Sequence, residues 1–355
     1  MDLLNSLISE KYIHAIGWTL VHSIWQIVLI SLALWLVIRW ASARSSQFRY
    51  MAGLIALMVI IITTGFTFQH YMDQQDPTEV TTPGEALVHQ LVPHNFTPTP
   101  PASPSQNNLE FYYIEPLFPL LTNFWLMGSL FFFIRLFGSI VAIQSLDQKH
   151  GIPFPADLQK KTEGLKTSLG IHRKLSILES QIIHVPITYG ILKPIILIPC
   201  SLLIQISPKQ LEAIIAHELA HIKRYDYLVN ILQSCMEVFF FFHPCFWWIN
   251  DMVRKERENA FDDTVLKLGF SPSHMAHGLA TIAEINNANA PDISLATHGP
   301  QPTLNRIKRL LGFRTPKESP SPLITLTIIF FWFLVLSCSW EPYLQKKKIP
   351  LLKNH

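Results

Sequence analysis

The sequence predicts a mostly α-helical membrane protein that also carries an α+β domain built around one helix. Three observations lead there. Only 15% of the 355 residues are charged and 49% are hydrophobic, against about 25% charged in an average soluble domain. Several apolar runs are long enough to cross a bilayer core, which takes about 20 residues. The stretch Ala216–His221 reads A-H-E-L-A-H, an H-E-x-x-H pattern inside an apolar helical run. A net charge of +3 leaves no electrostatic footprint of a nucleic-acid binder. The four cysteines, Cys200, Cys235, Cys245 and Cys338, show no C-x-x-C spacing, so reduced buried thiols are expected.

Residues 1–14 are mixed in character and read as a short interfacial helix. Ala15–Ile38 is almost uncharged and is the first span; it is too long for a signal peptide, and its basic residues follow it. Met51–Phe68 is the second span and Leu117–Ile143 the third, with Arg135 as an awkward charge inside it. Between them, 69–116 is rich in Pro, Thr, Ser, Asn and Gln and holds acids but no Lys or Arg. Such a composition cannot bury enough apolar surface to fold alone. The loop 39–49 carries Arg39, Arg44 and Arg49, so it is expected in the cytoplasm and the 69–116 loop outside. The N-terminus is then external, and the chain after about 144 begins on the cytoplasmic side. A fourth span over Pro322–Trp340 would carry the tail outside, although Lys346, Lys347, Lys348 and Lys353 oppose that crossing. The expected organisation is a membrane domain over 1–143, a cytoplasmic domain over 144–320, and a C-terminal span with a short tail over 321–355.

The cytoplasmic domain opens with a helix over Ala156–Leu169. Short β-like runs follow at Leu175–Leu178, Ile182–Thr188 and Ile195–Ile198. The motif helix starts after Ser207-Pro208, a cap with Pro in the first turn, and Glu212 is assigned the third helical position, where it suits the dipole. On this helix His217 and His221 lie on one face, one turn apart, where two imidazoles can share one Zn²⁺. Glu218 lies beside them to activate water. Three fixed residues are a pattern that chance produces in about a few per cent of chains this long, so the context decides.

A catalytic zinc takes three protein ligands and keeps one open position. Asp226, Glu237, Glu256 and Glu258 are the downstream candidates for the third. Glu258 is preferred: it lies on a helix expected over about Phe246–Leu268, with Asp262 one turn later, placed to hydrogen-bond a ligating histidine. Glu256 is about 200° around that helix and faces away. The apolar run Ile231–Ile249 looks like another span, yet a single crossing would put Glu258 on the opposite side from His217 and His221. A helical hairpin broken at His243-Pro244 removes the conflict. His243 is then a capping or structural residue.

With these pieces placed, the chain resembles the BlaR/MecR family of integral-membrane gluzincin peptidases. The resemblance rests on YGILKPIILIP (Tyr189–Pro199), HELAHIKRYDYLVN (His217–Asn230), FFHPCFWWIN (Phe241–Asn250) and RKERENAFDD (Arg254–Asp263). It implies a zincin-like metallopeptidase domain, with His217, His221 and Glu258 as zinc ligands and Glu218 as the base. The segment THGPQPTLNRIKRL (Thr297–Leu310) resembles the T-H-P…R-I element of related membrane zinc proteases. By that resemblance His298 and Arg306 are expected near the site, and with Tyr225 they are the candidates for transition-state or substrate contacts. The family resemblance implies cleavage of a protein or peptide substrate in signalling, such as a transcriptional repressor or the protein itself, at the bacterial cell membrane. Two departures stand out. About fifteen residues follow Trp340, so the β-lactam sensor domain of some relatives is not expected, and Phe261 stands where relatives often have Cys, with no expected effect on the metal. The alternative is a non-hydrolytic membrane signal-transducing or scaffold protein with a structural zinc site; Glu218 argues against it, because a structural site needs no base.

Overall fold

The computed structural model describes residues 9–40, 45–74, 115–150, 152–289 and 301–313. Three helices among them are long and apolar enough to cross a membrane: α1 (Glu10–Trp40), α2 (Ser46–Asp73) and α3 (Phe118–His150), the last entered through a 3₁₀ turn at Glu115–Leu117. The expected break between an interfacial helix over 1–14 and a span from Ala15 is not there, since α1 runs unbroken from Glu10. Nothing in Glu10–Ile16 stops a helix: the stretch has no Gly or Pro. Likewise α2 continues to Asp73, into the expected loop, where Gln69 donates to Asp73 Oδ1 one turn on at 2.9 Å. The rest of that loop and the fourth span, Pro322–Trp340, lie outside the described residues.

The chain divides into two compact units. The first, Met1–Ile30 with Met58–Gly128, is held by an aromatic cluster. Trp18 stacks on Tyr71 at 5.5 Å and meets Phe118 edge-on at 5.3 Å. His14 Nε2 lies 3.2 Å from Glu115 Oε1 and 3.1 Å from the Trp18 indole nitrogen. Gly17 lets the Phe118 ring lie directly on the α1 backbone, where any Cβ would collide with it.

The second unit, Ser31–Leu57 with Ser129–His355, holds the sheet and the motif helix. β1 (Ile152–Pro153), β2 (Ser176–Ser180), β3 (Ile187–Tyr189) and β4 (Ile195–Pro199) pair in the order β1-β2-β4-β3. β2 and β4 are parallel, and the outer strands run antiparallel to them. The expected strand over Ile182–Thr188 shortens to Ile187–Tyr189, because Pro186 offers no N–H to a ladder. β4 is buried on both faces, which accounts for its unbroken apolar run. Ile196 and Ile198 face one cluster with Leu211, Ile214, Ile215, Leu219 and Ile222 of the motif helix, while Leu197 packs with Ile183 and Tyr189 on the other face.

The helices of this unit are α4 (Ala156–Ser168), α5 (Cys200–Gln205), α6 (Pro208–Lys223), α7 (Asp226–Phe240), α8 (Pro244–Lys267), α9 (Pro272–Asn289) and α10 (Gln301–Leu310). α6 starts on a capping box: the Ser207 hydroxyl accepts from the Gln210 amide, and the Gln210 side chain accepts from the Ser207 amide. With Pro208 first, Gln210 is the third helical residue. Glu212 is the fifth, and it pairs with Lys161 of α4 at 2.7 Å. α7 and α8 form the expected hairpin, broken at His243-Pro244. His243 caps α8 by accepting from the Phe246 amide at 3.4 Å, and Pro244 takes the first helical position. Apolar α9 covers α6, with Gly278 allowing the close approach of Ile214.

Candidate active site

α6 brings His217 and His221 to one face, with Nε2 atoms 3.0 Å apart. α8 brings Glu258 to the same point: Oε2 is 3.4 Å from His217 Nε2, and Oε1 is 3.9 Å from His221 Nε2. Among the described residues these three form the one group of His, Cys, Asp or Glu side chains whose donor atoms converge on a possible metal position, all within 4.8 Å of one another. Zn–N bonds of about 2.0–2.1 Å at tetrahedral angles put neighbouring donors roughly 3.3 Å apart, so the observed spacings fit one ion. Two imidazoles and a carboxylate also suit a borderline ion such as zinc.

Each histidine is backed by a carboxylate on its far nitrogen. Asp226 Oδ2 lies 2.8 Å from His221 Nδ1, and Asp262 Oδ1 lies 3.2 Å from His217 Nδ1. A proton held at Nδ1 leaves the Nε2 lone pair free for a metal. Asp262 is the predicted partner. Asp226, a candidate third ligand by sequence, lies instead behind His221. The chain turns at Tyr225, which has φ 55 and is the one described non-glycine residue with a positive φ, and no periodic rule projects through such a turn. Arg257 Nη1 holds the other Asp226 oxygen at 3.4 Å and donates to Gln233 Oε1 at 3.1 Å. Gln233 continues the chain of buried polar groups to Asn250 at 2.6 Å, and Asn250 to Glu237 at 2.7 Å. Glu237, the third-ligand candidate inside the apolar hairpin, thus accepts a hydrogen bond from Asn250 and is neutralised by Arg254.

Arg306 of α10 lies beside Asp262 and Glu258. It donates to Asp262 at 3.0 and 2.7 Å and pairs with Glu258 Oε2 at 3.1 Å. Burial alone opposes every charge here, yet the groups offset one another. Asp262 and Glu258 outweigh burial and raise His217 to about 9. Burial raises Asp262, but His217 and Arg306 bring it down to about 2. Glu258 is likewise held well below the usual carboxylate range by His221, Arg306 and His217 against its burial.

Glu218 opens onto a cleft of about 360 Å³ that also takes in His217, His221, Glu258, Tyr225 and Arg306. Thr188 of edge strand β3 donates its hydroxyl to Glu218 Oε2 at 2.5 Å. This contact crosses thirty residues and leaves no local signal in the sequence. Tyr225 is half-exposed at the cleft wall, with the Arg173 guanidinium over its ring at 3.8 Å. Phe261, taken as neutral toward the metal, packs against His221 at 4.0 Å between ring centroids and meets His217 edge-on at 6.1 Å. His298 lies outside the described residues.

A membrane-helical chain with two histidines on one helix, a glutamate from a later one and a glutamate at the cleft has the layout of a membrane peptidase with a potential metal-binding triad. The chain belongs to the BlaR1 peptidase M56 family, which matches residues 8–310. It is 24% identical over 212 residues to the regulatory protein BlaR1 of Bacillus licheniformis, covering 60% of this chain and 35% of that one. It is 23% identical over 322 residues to the methicillin resistance mecR1 protein of Staphylococcus aureus, covering 83% and 53%. To the regulatory protein BlaR1 of Staphylococcus aureus it is 23% identical over 290 residues, covering 81% and 48%. The chain therefore spans from about a third to about half the length of these relatives.

Proposed function

We propose that the protein is a zinc-dependent metalloendopeptidase that hydrolyses peptide bonds on the cytoplasmic side of the bacterial inner membrane, in signalling by regulated proteolysis. The observation that carries the reading is the convergence of His217, His221 and Glu258 beside a cleft-facing Glu218. In this reading His217, His221 and Glu258 hold Zn²⁺, which supplies Lewis-acid polarisation of the scissile carbonyl and acidifies water. Glu218 takes the proton of the attacking water and passes it to the leaving amine. The Thr188 hydroxyl orients the Glu218 carboxylate for that transfer. β3 is one of the two outer strands of the sheet, and in this reading an extended substrate pairs along it beside the base. Asp262 and Asp226 keep each histidine in the tautomer that presents Nε2, and Arg306 offers positive charge beside the reacting carbonyl.

The arginines of the 39–49 loop support a cytoplasmic site, because Arg49 pairs with the helix that bears Glu258. The membership of the relatives in regulatory and resistance systems supports a signalling role, with a transcriptional repressor or the protein itself as substrate. The test is hydrolysis of an unstructured reporter protein by the full chain in nanodiscs, comparing wild type with Glu218→Ala. Glu218→Ala is expected to keep bound zinc and lose at least about 100-fold in rate. Equal hydrolysis by both proteins, or no zinc in the purified wild type, would refute the reading.

A further inference from the structure

The first turns of α2 touch three helices that contribute to the site. Arg49 makes a two-pronged ion pair with Glu256 of α8, Nε to Oε1 at 2.8 Å and Nη2 to Oε2 at 2.9 Å. Ser46 accepts from Arg309 of α10 at 3.3 Å, and Arg309 also binds Asp263 and the Asn259 carbonyl of α8. Tyr50 lies under the Arg224 guanidinium, 4.8 Å away at the end of α6, and Arg224 also sits over Phe261 at 5.1 Å. Gly53 presses its bare backbone on α8: a Cβ there would come within 2.5 Å of Val253. Thus α6, which bears His217 and His221, α8, which bears Glu258, and α10, which bears Arg306, all meet one short segment, residues 46–53.

Glu256 is the informative partner. It lies two residues before Glu258 and points away from the metal donors, as its position on the helix requires. A carboxylate on the far side of such a helix is ordinarily solvated. Here its side chain is only 11% exposed and that of Arg49 only 20%. A bidentate guanidinium–carboxylate pair fixes direction as well as distance. It therefore sets the rotation of α8 about its own axis, and that rotation decides whether Glu258 meets the two imidazoles. About 100° of turn separates neighbouring residues on a helix, so even a modest roll of α8 withdraws the third donor.

We infer that Arg49 is a positioning residue: through Glu256 it clamps α8 to the start of the second span in the rotation that lets Glu258 complete the metal triad. The inference rests on the proposed zinc reading. It makes the arginine that orients the loop also a determinant of metal affinity. Movement of the second span then changes the site without touching it.

The test uses the full chain in nanodiscs and four proteins: wild type, Arg49→Gln, Glu256→Gln, and the swap Arg49→Glu with Glu256→Arg. Arg254→Gln serves as the comparison, because it breaks a similar pair on the other flank of α8, with Glu237. Zinc affinity is read by chelator competition, and kcat and KM from reporter hydrolysis, at a temperature where each protein is folded. Both single variants are expected to bind zinc about tenfold more weakly or worse, with kcat reduced and KM kept. The swap is expected to recover zinc affinity to within about threefold of wild type, a recovery that general destabilisation does not produce. Unchanged zinc affinity in both single variants overturns the inference. So does a swap that fails, in folding or in zinc binding, as badly as the singles, and so does an equal loss in Arg254→Gln. Failure of the peptidase reading shows separately, as hydrolysis that survives Glu218→Ala, while the zinc measurement stands by itself.

Discussion

Replacing Asp262 by Asn tests how the proposed metal centre is tuned. Asp262 is fully buried, accepts two hydrogen bonds from Arg306, and lies 3.2 Å from His217 Nδ1. In the metal-free chain it joins Glu258 in raising His217 to about 9. A metal must displace the proton from His217, so metal and proton compete. At pH 7 the imidazole is about two units below its pKa, which weakens apparent zinc affinity about 100-fold, or about 3 kcal/mol. Affinity should therefore rise about tenfold per pH unit until pH 9 and then level off. Asp262→Asn keeps the shape and removes the charge. His217 then returns toward its ordinary value near 6.5, and the rise ends lower. The same change loses a carboxylate that orients the ring and strengthens it as a ligand, which costs about 10–100-fold in affinity. The two effects separate by pH. At pH 9 only the ligand effect remains and the variant is weaker by that full factor; at pH 6 the relief from proton competition narrows the gap. Chelator competition on the nanodisc-embedded protein from pH 6 to 9 reads both. A wild-type affinity that is flat over this range, or a variant with the wild-type slope, would refute the reasoning.

Three further outcomes are expected. Thr188→Val removes the donor to Glu218 and leaves the ligands alone, so zinc affinity should hold while hydrolysis falls by at least about tenfold, the worth of a hydrogen bond to a charged group; an unchanged kcat would show that Glu218 needs no such orientation. Phe261→Ala empties a fully buried site against His221 and should lower unfolding stability by about 3–5 kcal/mol in denaturation of the metal-free protein; a loss under about 1 kcal/mol would mean that the ring does not brace the histidine. The metal-free chain should also show a characteristic pH dependence. His217 is raised, so its contribution is complete below about 6.5 and is lost as pH climbs through 9, whereas Asp262 is depressed, so its contribution is present above about 3.8 and is lost as pH falls through 2. Thermal unfolding without zinc should peak between those limits, and a maximum at pH 9 would contradict the pairing.

What the sequence disclosed follows the range of each physical rule. Helical spacing is local, so His217, His221, Glu258 and Asp262 were all legible as faces of two helices. Proline chemistry is local as well, which made the break at His243-Pro244 and the cap at Ser207 readable. The contacts that escaped are those made across turns or between distant elements. Asp226 sits only five residues from His221, but the left-handed residue Tyr225 intervenes. Thr188 meets Glu218 because β3 happens to be the edge strand beside α6. Phe261 was judged by its chemistry, which is inert toward a metal, and its place in the packing against both rings was invisible. Arg49 was read through the positive-inside rule alone, and that rule does not register a partner 207 residues away.

The hairpin shows how chemistry can decide topology where hydropathy fails. Ile231–Ile249 is apolar enough to be taken for a crossing, and only the need for Glu258 to meet His217 and His221 argues for a return. The contacts with α3 give that return a depth. Ser129, midway along the apolar stretch Glu115–Ile143, donates to the Val238 carbonyl at 3.0 Å, and Phe132 stacks on Phe241 at 5.4 Å. The tip of the hairpin thus lies against the middle of a span. From Val238 back to Tyr225 is thirteen residues of helix, about 20 Å at 1.5 Å each, and half the hydrocarbon thickness is about 15 Å. From Pro244 forward to Glu258 is fourteen residues, about 21 Å. In the proposed reading each arm is long enough to leave the hydrocarbon layer, one ending near Asp226, which backs His221, and the other at Glu258. Leu228, Leu232 and Phe239, exposed along one face of α7 at spacings of four and seven, suit contact with lipid. In the proposed reading, the ligand geometry and the helix lengths both argue for a hairpin that returns to the side it entered from, as two half-crossings rather than one full one.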